Sequence, residues 1–241
     1  MISARWAAVC LGAGLLAGCT TPAAYPPGPV PVMMAPASPA LSAPAAMAAF
    51  RQVATQIEPI AEAMCRDEGH AANCDFRIVI DDRPNQPPNA LQTLDTSGRP
   101  VLAFSVALIL DARNSDELAF VIGHEAAHHI AGHIPQARQN ALQGALIAGI
   151  LAQAAGAGQA EIKAAQRTGA TAAARSYSKE FELEADALGA EIAFHAGFDP
   201  LRGADFFDRL PDPGDQFLGT HPTNAARKAA VAQVVARLRG F

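Results

Sequence analysis

Residues 115–133 have the sequence SDELAFVIGHEAAHHIAGH, and the interpretation of the whole chain starts from them. Ser115 can cap a helix that begins at the next residue, and two acidic residues follow in the first turn, where carboxylates stabilise the positive end of a helix. The stretch contains good helix formers and no proline. We therefore predict a helix over about 116–133.

Within this predicted helix, residues 124–128 form the pattern His-Glu-x-x-His. Residues four apart differ by about 40° around a helix, so His124 and His128 point the same way. Two neutral imidazoles at this spacing can hold one zinc ion. Glu125, next to the first histidine, can act as the general base that takes a proton from the attacking water and passes it to a leaving amine. The pattern predicts a catalytic zinc site.

Two further histidines follow the motif. His129 lies about 100° from the ligand face of the helix, and His133 lies about 180° from His124, because nine residues make two and a half turns. Both are predicted to be structural rather than ligands. The sequence also has Ala131 and Ile134 where a metzincin would have glycine and histidine, so that class of metallopeptidase is excluded.

A catalytic zinc ion needs a third protein ligand and an open position. Residues 180–186 read EFELEAD, and they offer two carboxylate pairs at helical spacing. In the pair Glu182 and Asp186, the first could bind the metal while the second orients a ligand histidine. Glu180 and Glu184 form the other pair on roughly the opposite face. Spacing alone does not choose between the two pairs.

Composition excludes several protein classes. The chain has 241 residues, of which 50% are hydrophobic and 17% are charged, so it can bury a core and is not disordered throughout. Its formal net charge is −5 and its basic residues are scattered, which argues against a nucleic-acid partner. Abundant alanine and few aromatic residues favour helices.

The first 18 residues have the pattern of a secretory signal: one charge, Arg5, then an apolar run. The segment ends in Leu-Ala-Gly-Cys, which resembles the lipobox of bacterial lipoproteins. That resemblance implies lipidation of Cys19 and attachment to the periplasmic face of the outer membrane. An ordinary cleaved signal or an uncleaved anchor is the alternative.

Residues 19–44 are rich in proline and alanine and are predicted to be a tether, which leaves 45–241 as the folded domain.

Cys65 and Cys74 are the remaining cysteines of the mature chain. In an oxidising compartment they are predicted to form a disulfide that closes a short loop. Two buried free thiols are the alternative.

Periodicity predicts a mainly α-helical (α+β) domain with one small sheet. Pro59 falls in the first predicted helix and could bend it. Ser178, Asp199 and Thr223 are predicted helix N-caps. The predicted helices are 46–65, 105–110, 116–133 and 179–196, one from Pro200 and one after Thr223. The predicted strands are 76–80 and 101–104, and 83–98 is predicted to be turn-rich.

The segment 141–158 consists almost entirely of Ala, Gly, Leu and Ile. Its length is borderline for a membrane span, and small residues weaken that reading. We predict a helix packed closely on its neighbours, or a mobile lid. Contact with the membrane is the alternative.

Four stretches in this order resemble metallopeptidase family 48, the HtpX and CAAX prenyl protease group of the gluzincins. They are residues 117–133, 180–186, Gly-Phe-Asp-Pro at 197–200 and Thr-His-Pro at 220–222. Within the family the chain resembles periplasmic lipoprotein members of the BepA and LoiP type. The resemblance implies a gluzincin-type peptidase domain with one zinc ion per chain.

The family resemblance also assigns roles to particular residues. It implies that Glu182 is the third zinc ligand and that Asp186 supports the ligands. It maps the family's histidine onto His221, which could occupy the fourth zinc position as a latch, act near the transition state, or only pack near the site. Arg227 follows at family-like spacing and could pair with a nearby Asp or Glu or act near the transition state. The chain lacks the membrane helices of the HtpX members, so an intramembrane substrate is not expected.

These features lead to a functional hypothesis of zinc-dependent endopeptidase activity in outer-membrane protein quality control. The expected partners are unfolded or misassembled envelope proteins as substrates, the membrane through a lipid anchor, and the outer-membrane assembly machinery. The alternative is a latent or chaperone-like lipoprotein that binds clients and uses zinc structurally. Closed structural zinc sites usually include cysteine, and no cysteine lies in the motif region, which disfavours that alternative.

Overall fold

The computed structural model describes residues 41–68, 73–176, 178–212, 214 and 221–240. The signal segment, Cys19, the tether up to residue 40 and Thr220 lie outside these residues. The elements in chain order are helices α1 Ala43–Glu68, α2 Val106–Asp111, α3 Ser115–Ile130, α4 His133–Ala154, α5 Gln159–Ser176, α6 Ser178–His195, α7 Pro200–Gly203 and α8 Asn224–Leu238, with a 3₁₀ helix at Ala204–Arg209 and strands β1 Arg77–Asp81, β2 Ala90–Leu94 and β3 Pro100–Ser105.

The domain is mainly helical with one small mixed sheet, which confirms the predicted fold class. Helix α1 buries Phe50, Val53 and Ile57 along one side, as its apolar spacing predicted. It is longer than predicted, and it continues through Pro59. A disulfide joins Cys65, near the end of α1, to Cys74, with a Cα–Cα distance of 5.7 Å.

The sheet has the order β1-β3-β2, with β3 parallel to β1 and antiparallel to β2. Strand β2 was not among the predicted elements and lies within 83–98, which was predicted to be turn-rich. Its sequence, ALQTL, is short and largely exposed at the edge of the sheet, so it lacks a strong alternating pattern. Ser105 fixes the approach to β2, because its hydroxyl accepts a hydrogen bond from the Asn89 amide at 2.9 Å and donates one to the Pro87 carbonyl at 3.0 Å.

Both ends of α3 differ from the prediction. The N-cap is Asn114 rather than Ser115, and its side chain accepts a hydrogen bond from the Glu117 amide at 3.0 Å. The helix ends at Ile130 because Gly132 adopts a left-handed conformation with φ of 69°. His133 therefore belongs to the next helix, α4, which leaves α3 in a new direction.

Helices α3 and α6 touch backbone to backbone in the centre of the domain. A Cβ atom on Gly189 would lie 2.6 Å from the backbone nitrogen of His124, and one on Gly123 would lie 2.7 Å from the carbonyl oxygen of Gly189. Only glycine at both positions allows this approach. The contact brings the middle of α3 next to the middle of α6.

Helices α4 and α5 form a hairpin. The structure has a packed helix over most of 141–158, and its partner α5 was missed because it is polar, rich in alanine and without buried residues. The two helices meet at Gly144 and Gly169, whose backbones are too close to accept a side chain. Helix α4 also exposes five large aliphatic side chains: Leu142, Leu146, Ile147, Ile150 and Leu151. Among the described residues, no helix combines the length and apolarity needed to cross a bilayer.

In the C-terminal part of the domain, helices α7 and α8 begin at the predicted N-caps. Asp199 caps α7 by accepting a hydrogen bond from the Leu201 amide, and Pro200 takes the first position of that helix. Thr223 caps α8 by accepting one from the Ala226 amide. Helix α8 packs on α6 and so closes one side of the central helix pair.

Candidate metal centre

Three side chains from two helices converge in the centre of the domain. Helix α3 supplies His124 and His128, whose Nε2 atoms lie 3.1 Å apart. Helix α6 supplies Glu182, whose Oε1 lies 3.4 Å from Nε2 of His128 and whose Oε2 lies 3.8 Å from Nε2 of His124. The potential ligand atoms of all three residues lie within 4.8 Å of one another.

The donor set fits a zinc ion. Zinc bonds of about 2.0–2.1 Å in tetrahedral geometry place neighbouring ligand atoms about 3.3 Å apart, close to the three distances between these side chains. Two imidazoles and one carboxylate are the protein ligands of catalytic zinc in the gluzincins, and three ligands leave a coordination position open.

His124 is supported from behind by a buried carboxylate. Its Nδ1 lies 2.9 Å from Oδ1 of Asp186, which is inaccessible to solvent. Donation of the Nδ1 proton to this carboxylate leaves Nε2 free to bind a metal. Arg227 holds Asp186 in turn with two hydrogen bonds of 2.6 and 2.7 Å, and its guanidinium lies 4.2 Å from the ring centre of Phe207.

The carboxylates of Asp186 and Glu182 stay ionised. Burial by itself would raise the pKa of Asp186, but hydrogen bonds from His124 and Arg227 outweigh burial and lower it. Burial would likewise raise the pKa of Glu182, whereas hydrogen bonds from His128 and His221 hold it far below its usual range. An ionised carboxylate at Glu182 is the form that can bind a cation.

His133 contacts His128, contrary to the prediction that it faces away. The prediction extended α3 to residue 133, but Gly132 ends that helix and the chain folds back. As a result, Nδ1 of His133 lies 2.8 Å from Nδ1 of His128, and Nε2 of His133 lies 3.2 Å from Oε2 of Glu184. The glycine before His133 is the sequence signal that could have revealed this geometry.

The structure also separates the two carboxylate pairs of α6. Glu182 and Asp186 face the histidines of α3, whereas the side chain of Glu184 is 60% exposed and reaches His133. Glu180 is exposed. His129 lies on another side of α3, where its Nε2 donates to the Asn73 carbonyl at 2.6 Å, in agreement with a structural role.

Glu125 lines a cleft beside the three converging side chains. The cleft has a volume of about 450 Å³, and its apolar walls include Val121, Phe206 and Leu210. Ala90 of β2 borders it, and a second hollow of about 240 Å³, also lined by Glu125, is bordered by Gln92 of the same strand. Burial raises the pKa of Glu125, against the opposing effect of the nearby histidines.

His221 and Arg227 line the same cleft. Nδ1 of His221 lies 3.1 Å from Oε2 of Glu182, and Nη2 of Arg227 lies 3.4 Å from the same oxygen. The His221 side chain is 55% exposed, so it stands at the mouth of the site rather than in its interior. From this position it can reach toward the converging ligand atoms.

Comparison with known proteins gives a family and two relatives. The sequence pattern of peptidase family M48 matches residues 49–235. A Vibrio cholerae protein named "Putative beta-barrel assembly-enhancing protease" is 36% identical over 118 residues, which is 46% of this chain and 24% of the relative. The mitochondrial metalloendopeptidase OMA1 of Arabidopsis thaliana is 28% identical over 125 residues, which is 50% of this chain and 25% of the relative. The matched part thus spans about a quarter of each relative's length.

Proposed function

This chain belongs to peptidase family M48, and from that premise we propose that it is a zinc-dependent endopeptidase. The single observation that carries the proposal is the convergence of His124, His128 and Glu182 beside Glu125, within an open cleft. In the proposed site, the first three residues hold one zinc ion. The fourth residue performs the proton transfers.

The mechanism assigns separate tasks to the side chains. When bound, a zinc ion supplies Lewis acidity, which polarises the scissile carbonyl and makes water a stronger acid. Glu125 takes the proton of the attacking water as a C–O bond forms, and it delivers that proton to the amine nitrogen as the C–N bond breaks. Its burial suits this role, because a raised pKa makes the carboxylate a stronger base for the proton of the attacking water.

The substrate backbone has a natural place along β2. This strand forms one edge of the sheet, and its residues border both the cleft and the adjoining hollow at Glu125. An extended peptide can pair with such an edge by main-chain hydrogen bonds, which do not depend on the peptide's sequence. This arrangement favours unfolded segments as substrates.

Replacing Glu125 by glutamine tests the proposal. The variant should keep one zinc ion per chain, since the ligands are intact, and should lose cleavage of an unfolded protein by at least about 100-fold, the usual contribution of general acid–base catalysis. Zinc content by elemental analysis and cleavage by gel would be measured on the purified full-length wild type and variant. Equal cleavage by the variant would exclude the proposed role of Glu125.

The second candidate function is a latent or client-binding protein, and the position of His221 favours it. A histidine 3.1 Å from the proposed ligand Glu182 could compete for the open position. If it does, the change His221→Ala should raise basal cleavage while zinc content stays the same. Unchanged or lower cleavage would count against latency. One zinc ion in both proteins with no cleavage even by His221→Ala would favour client binding.

We infer a location at the cell envelope from two observations. The Leu-Ala-Gly-Cys quartet ending at Cys19 supports a lipid anchor on the periplasmic face of the outer membrane. The name of the Vibrio cholerae relative connects that protein with beta-barrel assembly. Misassembled envelope proteins are thus the proposed substrates, and the outer-membrane assembly machinery is the proposed partner.

A further inference from the structure

We propose that His133 and Glu184 form a hydrogen-bonded relay that positions the ligand His128. This inference rests on the proposed zinc site, because it concerns how one of the ligands is held. Nδ1 of His133 lies 2.8 Å from Nδ1 of His128, and its Nε2 lies 3.2 Å from Oε2 of Glu184. The relay is the counterpart, for the second histidine, of the support that Asp186 gives to the first.

The positions of the protons follow from the geometry. Nε2 of His128 faces the other two proposed ligands, so it must be unprotonated to bind a metal and the ring must carry its proton on Nδ1. Only one proton fits between two ring nitrogens 2.8 Å apart, so Nδ1 of His133 must be an acceptor. His133 then carries its own proton on Nε2 and donates it to the carboxylate of Glu184.

The surroundings hold His133 in this orientation. The residue is 4% exposed, and its ring stacks on that of Phe181, with centroids 4.4 Å apart and an interplanar angle of 17°. Its Cα is fixed by the turn at Gly132, where α3 ends and α4 begins. A rigid neutral acceptor is thereby presented to His128, and it can lock the rotation of that ring.

The principal test replaces His133 by phenylalanine. Phenylalanine keeps the aromatic stack on Phe181 but cannot accept a hydrogen bond from His128. Loss of such outer hydrogen bonds typically weakens metal binding about 10- to 100-fold, so zinc affinity should fall by at least about tenfold. The dissociation constant would be measured by competition with a chelating dye on the full-length chain. The matched control is His129→Phe, which makes the same change one residue from His128 but outside the relay, and which should leave zinc affinity unchanged.

A second variant avoids disturbing the interior. Glu184 is largely exposed, so Glu184→Ala should leave the fold intact and lower zinc affinity less than His133→Phe does. Its control is Glu180→Ala, an exposed glutamate one turn earlier on α6. Combining Glu184→Ala with His133→Phe should add no further loss, because both changes break the same chain of hydrogen bonds.

The proton positions give a test that a merely structural role would not satisfy. Two-bond ¹H–¹⁵N spectra of the zinc-loaded protein should show His133 protonated on Nε2 and His128 protonated on Nδ1. A proton on Nδ1 of His133 would overturn the relay, as would His133→Phe with wild-type zinc affinity. If the wild type itself binds no zinc, the proposed function fails together with the relay. If the wild type binds zinc and His133→Phe binds it equally well, only the relay is excluded.

Discussion

The two histidines of the His-Glu-x-x-His motif have different partners behind them. His124 faces Asp186, a buried carboxylate that Arg227 neutralises. His128 faces His133, a neutral ring whose charge partner lies one step farther away at the surface. A charged acceptor strengthens a hydrogen bond more than a neutral one does, so Asp186 should orient its ligand more firmly than His133 does.

The next residue, His129, should make the stability of the folded chain depend on pH. Burial lowers the pKa of His129, so the folded chain keeps this ring neutral, whereas the unfolded chain protonates it near the ordinary value of about 6.5. Protonation therefore favours unfolding. The contribution of His129 to stability is complete above about pH 6.5 and declines as the pH falls below it.

Urea unfolding of the metal-free protein between pH 7.5 and 5.5 measures this effect. The wild type should lose more free energy of unfolding across this range than His129→Gln, which can still donate a hydrogen bond to the Asn73 carbonyl. Other titrating groups, including the buried His133, contribute equally to both proteins. Parallel pH profiles would show that His129 does not titrate differently in the two states.

At the scale of elements, the site depends on how closely α3 and α6 approach. Gly123 and Gly189 put the two backbones in contact directly beside His124. This contact sets the distance from the histidines of α3 to the carboxylates of α6. The spacing of the proposed metal site between two helices is thus determined by residues outside its ligand set.

Replacing Gly189 by alanine should separate these helices. The new Cβ would meet the backbone of His124 at 2.6 Å, where no flexible side chain can move aside. Overpacking of this kind costs about 1–3 kcal/mol, which exceeds the gain of at most about 1 kcal/mol from replacing glycine within a helix. Chemical denaturation should therefore show lower stability, and zinc affinity should fall with it.

Gly158→Ala is the matched control, because the nearest atom to its new Cβ would be a carboxylate oxygen of the exposed Glu161 side chain at 3.4 Å, an ordinary van der Waals distance. This variant should retain both stability and zinc affinity. If Gly189→Ala retained them as well, the close approach of α3 and α6 would not be what fixes the site.

At the scale of the whole molecule, the disulfide Cys65–Cys74 ties the long first helix to the segment that leads into β1. It joins residues nine apart in sequence, and Cys65 is part of the buried core. A cross-link of this loop length stabilises a protein by about 2–3 kcal/mol through the unfolded state. The bridge lies outside the set of residues that surround the proposed zinc ion.

Removal of the disulfide should thus separate stability from activity. The double change Cys65→Ala and Cys74→Ala should lower the free energy of unfolding by about 2–3 kcal/mol and leave zinc content and cleavage at moderate temperature unchanged. Urea denaturation, elemental analysis and a cleavage assay would be compared with those of the wild type. Loss of zinc in the folded double variant would mean that the bridge also shapes the metal centre.

Local pattern alone accounts for the helix with His124, Glu125 and His128, because residues four apart share a helix face wherever that helix lies. It also predicts the caps at Asp199 and Thr223 and the mainly helical class, since these depend on neighbours in sequence. The edge strand β2 and the polar helix α5 were not predicted, because each owes its conformation to a packing partner rather than to its own periodicity.

Family resemblance pointed to Glu182 and Asp186, but residue spacing alone could neither choose between the carboxylate pairs of α6 nor predict the contact of His133 with His128. These contacts join residues that are far apart in sequence or that lie on either side of a turn. A helix that ended one turn earlier or later would change them. The turn at Gly132 and the close approach at Gly189 decide them through backbone geometry. The spacing of residues within a single helix contains no information about the turn at Gly132 or the close approach at Gly189.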